Sequence, residues 1–227
     1  MRRNTCRFLI AALLPFLIIT TAIAGGWAIV TVKDLPEYAV AGVPMRLTFT
    51  VRQHGVTLLN GLNASVRATA SGHPDARAVA SQTGKSGEYA ATLTFPETGA
   101  WTISIDSGFS AIETRLLPLT VIDEGSRPPV SLSPVGRGEQ LFVAKGCIGC
   151  HRNQEIAAPN LVSAGPDLTG KRFPPDHLKA FLADPSKTLG RSARLEYGQM
   201  PNLNLEEQEI AALVEFINRD RTKGSTR

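Results

Sequence analysis

The residues with the most specific chemistry in this 227-residue chain form one short run, Cys147-Ile148-Gly149-Cys150-His151. Two thiols at this spacing, followed at once by an imidazole, suit three kinds of site: a redox-active dithiol, a zinc site or a covalent haem attachment site. In a haem attachment site both thiols add to the vinyl groups of one porphyrin. The adjacent histidine is then held under the iron, where it supplies an axial nitrogen ligand.

The surrounding sequence favours haem over the other two sites. A thioredoxin-type dithiol follows a strand and opens a helix inside a β-α-β unit, a pattern that is missing around Cys147. A zinc site needs about four nitrogen or sulfur ligands, and the chain has neither a second cysteine pair nor a close histidine pair. We therefore predict one covalently attached haem c per chain, with thioether bonds to Cys147 and Cys150 and with His151 as an iron ligand.

The second axial ligand of the iron can be sought by elimination. In the mature chain five further side chains could bind haem iron: Met45, His54, His73, His177 and Met200. Met200 is favoured because it lies in the segment 197–201, a loop that Pro201 stiffens. The alternatives are His177, at the edge of a short helix predicted between two proline-containing boundaries, and an open or water-bound iron.

Residues 136–222 resemble the class I c-type cytochromes, which carry a single haem. The resemblance rests on Gly138 and Phe142, a glycine and an aromatic residue four positions apart ahead of the cysteine pair. It also rests on a closing amphipathic helix that begins with a predicted capping box, with Asn204 as the cap residue and Glu207 three positions later. The resemblance implies an all-α cytochrome fold whose first and last helices cross closely, so that Gly138 and Phe142 meet Leu213 and Phe216.

The same resemblance extends to two loops. Residues 197–201 are similar to the loop that holds the distal methionine of the family, which implies Met200 as the second iron ligand. Residues 165–170 resemble the turn after the haem-binding stretch. This implies that the Pro166 carbonyl accepts a hydrogen bond from the other ring nitrogen of His151. The alternative is that Gly165 and Pro166 form an ordinary turn, since this dipeptide is common in loops.

Iron held between a histidine and a methionine has no vacant coordination position, so outer-sphere electron transfer is the expected function. The chain is predicted to be an electron carrier with no catalytic residues, or a haem subunit of a larger oxidoreductase complex. Redox proteins of a respiratory chain are the expected partners. Scattered basic residues could contact haem propionates or an acidic partner, although they more often form a solvated face. They are Lys171, Arg172, Lys187, Arg191 and Arg194.

The N-terminal half predicts a different fold. Six short segments rich in threonine and valine are separated by turn residues, and no convincing helix lies between them. They cover 27–32, 45–51, 64–68, 89–95, 101–105 and 116–122. This pattern indicates an antiparallel, immunoglobulin-like β-sandwich, in which Pro118 would confine the last strand to an edge or a bulge.

Residues 95–103 resemble the periplasmic FixH-like and YtkA-like sandwich modules, some of which are associated with respiratory oxidases or metal handling. We predict a docking or structural module, since the exposed loops and edge strands of such a scaffold suit protein contact. The alternative is an accessory subunit of a respiratory oxidase or a metal-handling complex, with the sandwich binding a partner or copper. Copper binding is disfavoured because Met45, His54 and His73 have no recognisable ligand spacing, and Met45 alternates with apolar residues as a core side chain does.

The first 24 residues predict a secretory signal. Arg2, Arg3 and Arg7 precede an apolar run over 8–19, and Ala22-Ile23-Ala24 offers small residues at the positions that signal peptidase accepts. We therefore expect a periplasmic or exported protein. An uncleaved membrane anchor, which would keep the protein near the membrane, is the alternative.

Net charge excludes a nucleic-acid partner once it is divided along the chain. Three arginines give residues 1–24 a charge of +3, seven bases and eight acids give 25–123 a charge of −1, and fourteen bases and twelve acids give 124–227 a charge of +2. The mature chain is thus close to neutral and lacks the basic surface that nucleic-acid binding needs.

These observations predict two folded domains. The signal peptide covers 1–24, the β-sandwich 25–123 and the cytochrome domain 136–222, with a short tail over 223–227. A proline-containing linker over 124–135 would join the two domains as a semi-rigid spacer.

Overall fold

The computed structural model of the chain describes residues 26–156, 162, 164–189 and 200–219. The predicted signal segment and tail lie outside these ranges, as do Arg191, Arg194 and residues 197–199. Within the described ranges, the N-terminal region is built mostly of β strands and the C-terminal region contains helices. No helix in this part of the chain is long and apolar enough to cross a bilayer.

Eleven strands are present in the described part of the N-terminal region, here called the β region (28–122). They are β1 (Ala28–Val32), β2 (Tyr38–Val40), β3 (Met45–Gln53), β4 (Thr57–Leu58), β5 (Ser65–Thr69), β6 (Ala76–Val79), β7 (Ser81–Gln82), β8 (Glu88–Leu93), β9 (Gly99–Asp106), β10 (Thr114–Arg115) and β11 (Leu119–Ile122).

The strands form two sheets. One has the order β1-β3-β8-β7, with β4 also paired to β3, and the other has the order β2-β11-β9-β5-β6, with β10 also paired to β9. Alternate side chains of β3 enter the core, since Leu47, Phe49 and Val51 are buried while the threonines between them are partly exposed. The largest fully buried side chains of this core include Trp101 and Tyr89.

One feature of the sheets differs from the sequence-based expectation. The pairing is antiparallel throughout except between β2 and β11, which are parallel, with Tyr38 opposite Thr120. The chain crosses from one sheet to the other over residues 33–37, and this crossing brings β2 alongside β11.

The prediction for Pro118 is confirmed. Strands β10 and β11 both pair with β9, with Arg115 opposite Ser104 and Leu119 opposite Trp101, so the three residues 116–118 face only two residues of β9. Pro118 lies in this bulge, where no N–H is needed for the ladder.

The C-terminal region, here called the helical region (134–217), contains four α-helices among its described residues. They are α1 (Pro134–Ala144), α2 (Pro175–Ala183), α3 (Pro185–Leu189) and α4 (Glu207–Ile217). A short 3-10 helix over Cys147–Gly149 follows α1. The Ser133 hydroxyl caps α1 by accepting a hydrogen bond from the Gly136 N–H at 3.1 Å, so the helix begins inside the predicted linker.

The predicted closing helix is present as α4, but its cap lies further along the chain than expected. The capping box is formed by Glu206 and Glu209, and the Glu206 N–H donates to Glu209 Oε2 at 3.1 Å. Asn204, the expected cap residue, has a φ of 52° and belongs to the turn before the helix. The buried side chains of α4 include Ile210, Leu213 and Phe216 and form one apolar face.

Helices α1 and α4 cross at Gly138. A Cβ atom on Gly138 would overlap the Ala212 carbonyl oxygen and would lie 2.5 Å from the Phe216 Cβ, so only glycine allows this approach. The Phe142 and Phe216 rings pack with centroids 5.4 Å apart, and Leu213 is fully buried beside them. The contact between the first and last helices therefore occurs at the residues that the sequence singled out.

The two regions share contacts well beyond the connecting segment. Arg137 donates from Nη2 to the Leu35 carbonyl at 2.7 Å, and the buried Lys145 donates from Nζ to the Lys33 carbonyl at 2.5 Å. Lys145 also forms an ion pair with Glu209 on α4 at 2.6 Å. Removing one partner of a buried ion pair leaves an uncompensated charge, at a cost of about 3 to 5 kcal/mol. These contacts therefore hold the start and the end of helix α1 against residues 33–37, the segment between β1 and β2.

Replacing Gly138 by alanine should lower the free energy of unfolding by about 2 to 3 kcal/mol, because the added methyl group has to push α1 and α4 apart. Gly136→Ala is the matched control on the same helix. Its Cβ would meet only the flexible Ser133 side chain, at 3.3 Å, and the Leu132 Cβ at 3.9 Å, and the change should stay within about 1 kcal/mol. Denaturant unfolding of the holoprotein measures both values. Equal effects of the two substitutions would contradict the crossing.

Candidate functional site

A compact turn places the two thiols and the imidazole together. Gly146, with a φ of 79°, ends α1 and starts the 3-10 helix that begins at Cys147. The Cys147 carbonyl then accepts hydrogen bonds from the N–H groups of Cys150, at 3.1 Å, and of His151, at 2.8 Å. We call residues 146–151 the attachment turn. Because Gly146 ends α1, the end of the helix sets where this turn begins.

Both thiols of the attachment turn are free and are removed from water. Cys147 is 8% exposed, and Cys150 is half-buried. Burial raises the pKa of the Cys147 thiol to about 12, with a further contribution from Cys150, and burial raises the pKa of the Cys150 thiol to about 11. Reactive dithiols have lowered pKa values, so burial makes these two thiols unlike those of a redox-active dithiol.

The ring of His151 is oriented by a carbonyl. Its Nδ1 lies 3.0 Å from the Pro166 oxygen. Because a carbonyl oxygen can only accept, Nδ1 carries the proton and Nε2 keeps a free lone pair for a metal. Burial lowers the pKa of His151, although the bond to Pro166 acts in the opposite direction, so the environment favours the neutral ring.

Gly165 is a site residue that sequence reasoning missed. A Cβ on Gly165 would lie 2.5 Å from Cε1 and 2.6 Å from Nδ1 of the His151 ring, so a larger residue would displace the imidazole. The Gly165 N–H also donates to the Cys150 carbonyl at 2.9 Å. The available signal was its position directly before Pro166, since the backbone that presents the Pro166 carbonyl has to pass close to the ring.

Met200 is half-buried against the apolar core of the helical region, which also contains Cys147. Leu168 and Phe173 pack partly buried against the same core. His177 instead lies exposed on α2, while Leu178 of the same helix points into the core. The structure thus brings Met200, and not His177, onto the core that the attachment turn shares.

The side chains considered for copper are not brought together. His73 contacts Glu97, with 2.9 Å between Nδ1 and Oε2, and lies near Trp101, whereas His54 packs on Trp27. Met45 packs partly buried against the β core, as its alternation predicted. Among the described residues, no group of three or more histidine, cysteine, aspartate or glutamate side chains is placed to hold a metal ion.

The basic residues between the attachment turn and Met200 differ in their contacts. Lys187 forms an exposed ion pair with Asp184 at 3.2 Å, and Lys171 is exposed. Arg152, which directly follows the attachment turn, lies 4.0 Å from Asp167. Exposed pairs of this kind contribute little to stability, because solvent and salt screen them. These contacts leave the expected binding of propionates or an acidic partner as a prediction.

Comparison with known proteins finds a family likeness in the helical region. The family model of cytochrome c matches residues 135–219. A search of curated proteins finds no match to this chain.

Solved structures with some likeness to the chain include the Lin-41 filamin domain, at 12% identity over 41% of this chain and 90% of that one, with a TM-score of 0.33. They also include domains 4 and 5 of the S-layer protein SbsC, at 21% identity over 41% of this chain and 50% of that one, with a TM-score of 0.29. A longer SbsC fragment, residues 31–844, matches at 21% identity over 45% of this chain and 13% of its own, with a TM-score of 0.31.

A cytochrome c domain implies covalently bound haem c with its iron and an electron-transfer role with redox partners. The residues of the site fit this group. Two free thiols lie on one turn, and the histidine that follows them has its Nε2 free for iron. The thioether of Met200 packs on the same apolar core, and the glycine beside the imidazole leaves room that any larger residue would fill.

Gly165→Ala should displace the His151 ring and break its hydrogen bond to Pro166, because the added methyl group occupies the position of the imidazole. Nitrogen-15 NMR of the histidine ring would show the Nδ1–H exchanging with water about tenfold faster or more. Gly84→Ala is the control, since a Cβ there meets nothing within 4 Å. An Nδ1–H resonance that is unchanged in Gly165→Ala would show that the close approach does not hold the ring.

Proposed function

We propose that this chain is an exported one-electron carrier, with one haem c bound through Cys147 and Cys150 and with His151 and Met200 as iron ligands. The hydrogen bond between His151 Nδ1 and the Pro166 oxygen is the observation that supports this most strongly. It selects the tautomer whose Nε2 can bind iron, on the residue that directly follows two free thiols.

The chemistry that haem supplies when bound is a reversible one-electron change at its iron. The two cysteines hold the group covalently, so that it cannot be lost to the surroundings. His151, fixed by Pro166, would supply a nitrogen ligand whose basicity the hydrogen bond increases. Met200 would supply a soft sulfur ligand that excludes small molecules from the iron and favours its reduced state.

A carrier is proposed rather than an enzyme because two protein ligands leave the iron no position for substrate. Met200 packs on the apolar core of the helical region, in which Leu178 and Leu182 of α2 are buried. A haem subunit in a larger oxidoreductase complex would use the same arrangement. In both cases the protein sets the reduction potential and the contact with its partner, and respiratory-chain proteins are the proposed partners.

The β region is proposed to be an immunoglobulin-like sandwich that serves as a docking or structural module. Two sheets that share one apolar core support this assignment, and the antiparallel pairing of most strands is typical of such a fold. The periplasm is the proposed location, on the basis of the signal pattern in residues 1–24. Exposed loops and edge strands on such a scaffold suit protein contact.

Met200→Ala should open one coordination position of the iron. The near-infrared band that arises from sulfur bound to ferric iron should disappear, and the ferrous protein should bind carbon monoxide, with the fold retained. His177→Ala is the control, because this exposed histidine lies on α2 away from the core. If His177→Ala produced these changes and Met200→Ala did not, the ligand assignment would be wrong.

The double variant Cys147→Ala/Cys150→Ala should lose covalent haem entirely, while each single variant should keep one thioether bond. Haem staining after denaturing electrophoresis and the mass of the intact chain measure the attachment. Cys6→Ala should leave both unchanged, since Cys6 lies in the predicted signal. A wild-type protein from a host competent for haem attachment that shows neither stain nor added mass would exclude the proposed cofactor attachment.

A further inference from the structure

Ile29 of strand β1 is buried between the two regions. It is 6% exposed, yet it belongs neither to the apolar core of the β region nor to that of the helical region. A buried apolar side chain outside both cores has to be buried by the contact between the regions. Its neighbours therefore show what this contact holds in place.

The first set of neighbours is the attachment turn. A Cβ on Gly146 would lie 2.6 Å from Ile29 Cγ2 and 2.6 Å from the Val30 carbonyl oxygen, and a Cβ on Gly149 would overlap Ile29 Cδ1. The side chain of Ile29 thus fills the space that side chains at these two glycines would occupy. Gly149 lies between the two cysteines, so Ile29 packs against the backbone that would carry both thioether bonds.

The second set of neighbours leads to Met200. A Cβ on Gly55 would lie 3.8 Å from Ile29 Cγ1, 3.9 Å from Trp27 Cη2 and 4.0 Å from Pro201 Cγ. Pro201 directly follows Met200. The Gly55 backbone thus lies near both Ile29 and Pro201. One small part of the β region therefore contacts the attachment turn through Ile29 and lies beside the segment that contains Met200.

Strand β1 is a rigid support for this contact. It pairs with β3 along its whole length, with Ile29 opposite Arg52, and the Arg52 side chain donates to Thr31 Oγ1 at 3.1 Å. The residue after β1, Lys33, accepts the hydrogen bond from Lys145, which directly precedes the attachment turn. The strand therefore contacts the turn at Gly146 and Gly149 and holds the residue before it.

Among the residues that the structure describes, few other atoms support the turn on this side. Ile29, Ile148 and Gly149 line a cavity of about 460 Å³ between the two regions, and its lining also includes Trp27 and Leu117. With open space beside the turn, the position of Gly149 depends on the Ile29 side chain. Shortening that side chain would extend the cavity under the turn, and protein interiors relax only partly into such space.

We propose that Ile29 is a positioning residue for the haem iron: from the β region, it supports the attachment turn and so fixes the distance of this turn from the neighbouring Met200–Pro201 segment. The inference rests on the proposed function, in which His151 and Met200 bind the iron from these two segments. Axial ligation is sensitive to displacement, and a ligand held by a rigid support needs no rearrangement when the iron changes its oxidation state.

Ile29→Ala in the full-length holoprotein tests this directly. Amide hydrogen exchange at Cys150 and His151 should become about tenfold faster or more, because their hydrogen bonds to the Cys147 carbonyl lose support. Binding of carbon monoxide to the ferrous protein should become faster by a similar factor as Met200 is released more often. Ile105→Ala is the control: this residue is fully buried in the β core, and its loss should destabilise the fold without changing either rate at the turn.

A smaller change keeps the test valid if Ile29→Ala does not fold. Ile29→Val removes only Cδ1, the atom that faces Gly149, and should give the same changes to a smaller extent. Gly149→Ala should also disturb the turn, because its methyl group collides with Cδ1. Combining Gly149→Ala with Ile29→Val removes the colliding atom and should bring both rates back toward those of the wild type.

The outcomes separate this inference from the proposed function. If the wild-type protein already binds carbon monoxide as fast as Met200→Ala, the methionine ligation is wrong, and hydrogen exchange alone then decides the role of Ile29. Unchanged exchange at Cys150 and His151 in both Ile29 variants would overturn the positioning role. Faster exchange with unchanged carbon monoxide binding, in a protein whose methionine ligation is established, would overturn the proposed link to Met200.

Discussion

The close crossing of α1 and α4 at Gly138 is the constraint on which the candidate site depends. Helix α1 continues into the attachment turn, and Met200 lies a few residues before α4 begins. The two segments proposed to bind the iron are therefore extensions of the two crossed helices. The distance between the helices contributes to the distance between these segments, and the absence of a side chain at Gly138 keeps that distance short.

The ion pair of Lys145 reinforces the crossing where the two helices meet the site. Its ammonium group contacts the Glu209 carboxylate near the start of α4 and the Lys33 carbonyl after β1. A buried charge is tolerated only when such partners satisfy it, so these three segments are fixed together. The β region therefore belongs to the scaffold of the attachment turn, and a proposed docking role and a positioning role are compatible in one module.

Sequence reasoning predicted the features that depend on neighbouring residues. Short stretches of sequence were enough to predict three of them: the run from Cys147 to His151, the apolar periodicity of α4 and the proline boundaries of α2. The bond from His151 to Pro166 joins residues only fifteen positions apart. Both residues lie in the stretch that resembles the family, so the resemblance was enough to predict this hydrogen bond.

What sequence reasoning missed depends on residues distant in the chain. In the sequence, nothing distinguishes Ile29 from other apolar strand residues. Only the folded chain places it against Gly149, 120 positions later. The parallel pairing of β2 with β11 likewise joins the two ends of the β region. Gly165 was overlooked because a turn glycine shows its need for space only when the His151 ring is in place.

Electron paramagnetic resonance of the full-length protein during a potentiometric titration tests the central claim most directly. If a histidine and a methionine hold the iron, the oxidised protein contains one low-spin ferric species. Its signal disappears in a single one-electron step on reduction and returns fully on reoxidation. A predominantly high-spin ferric signal, or a step that does not reverse, would contradict the account of this chain as a one-electron carrier.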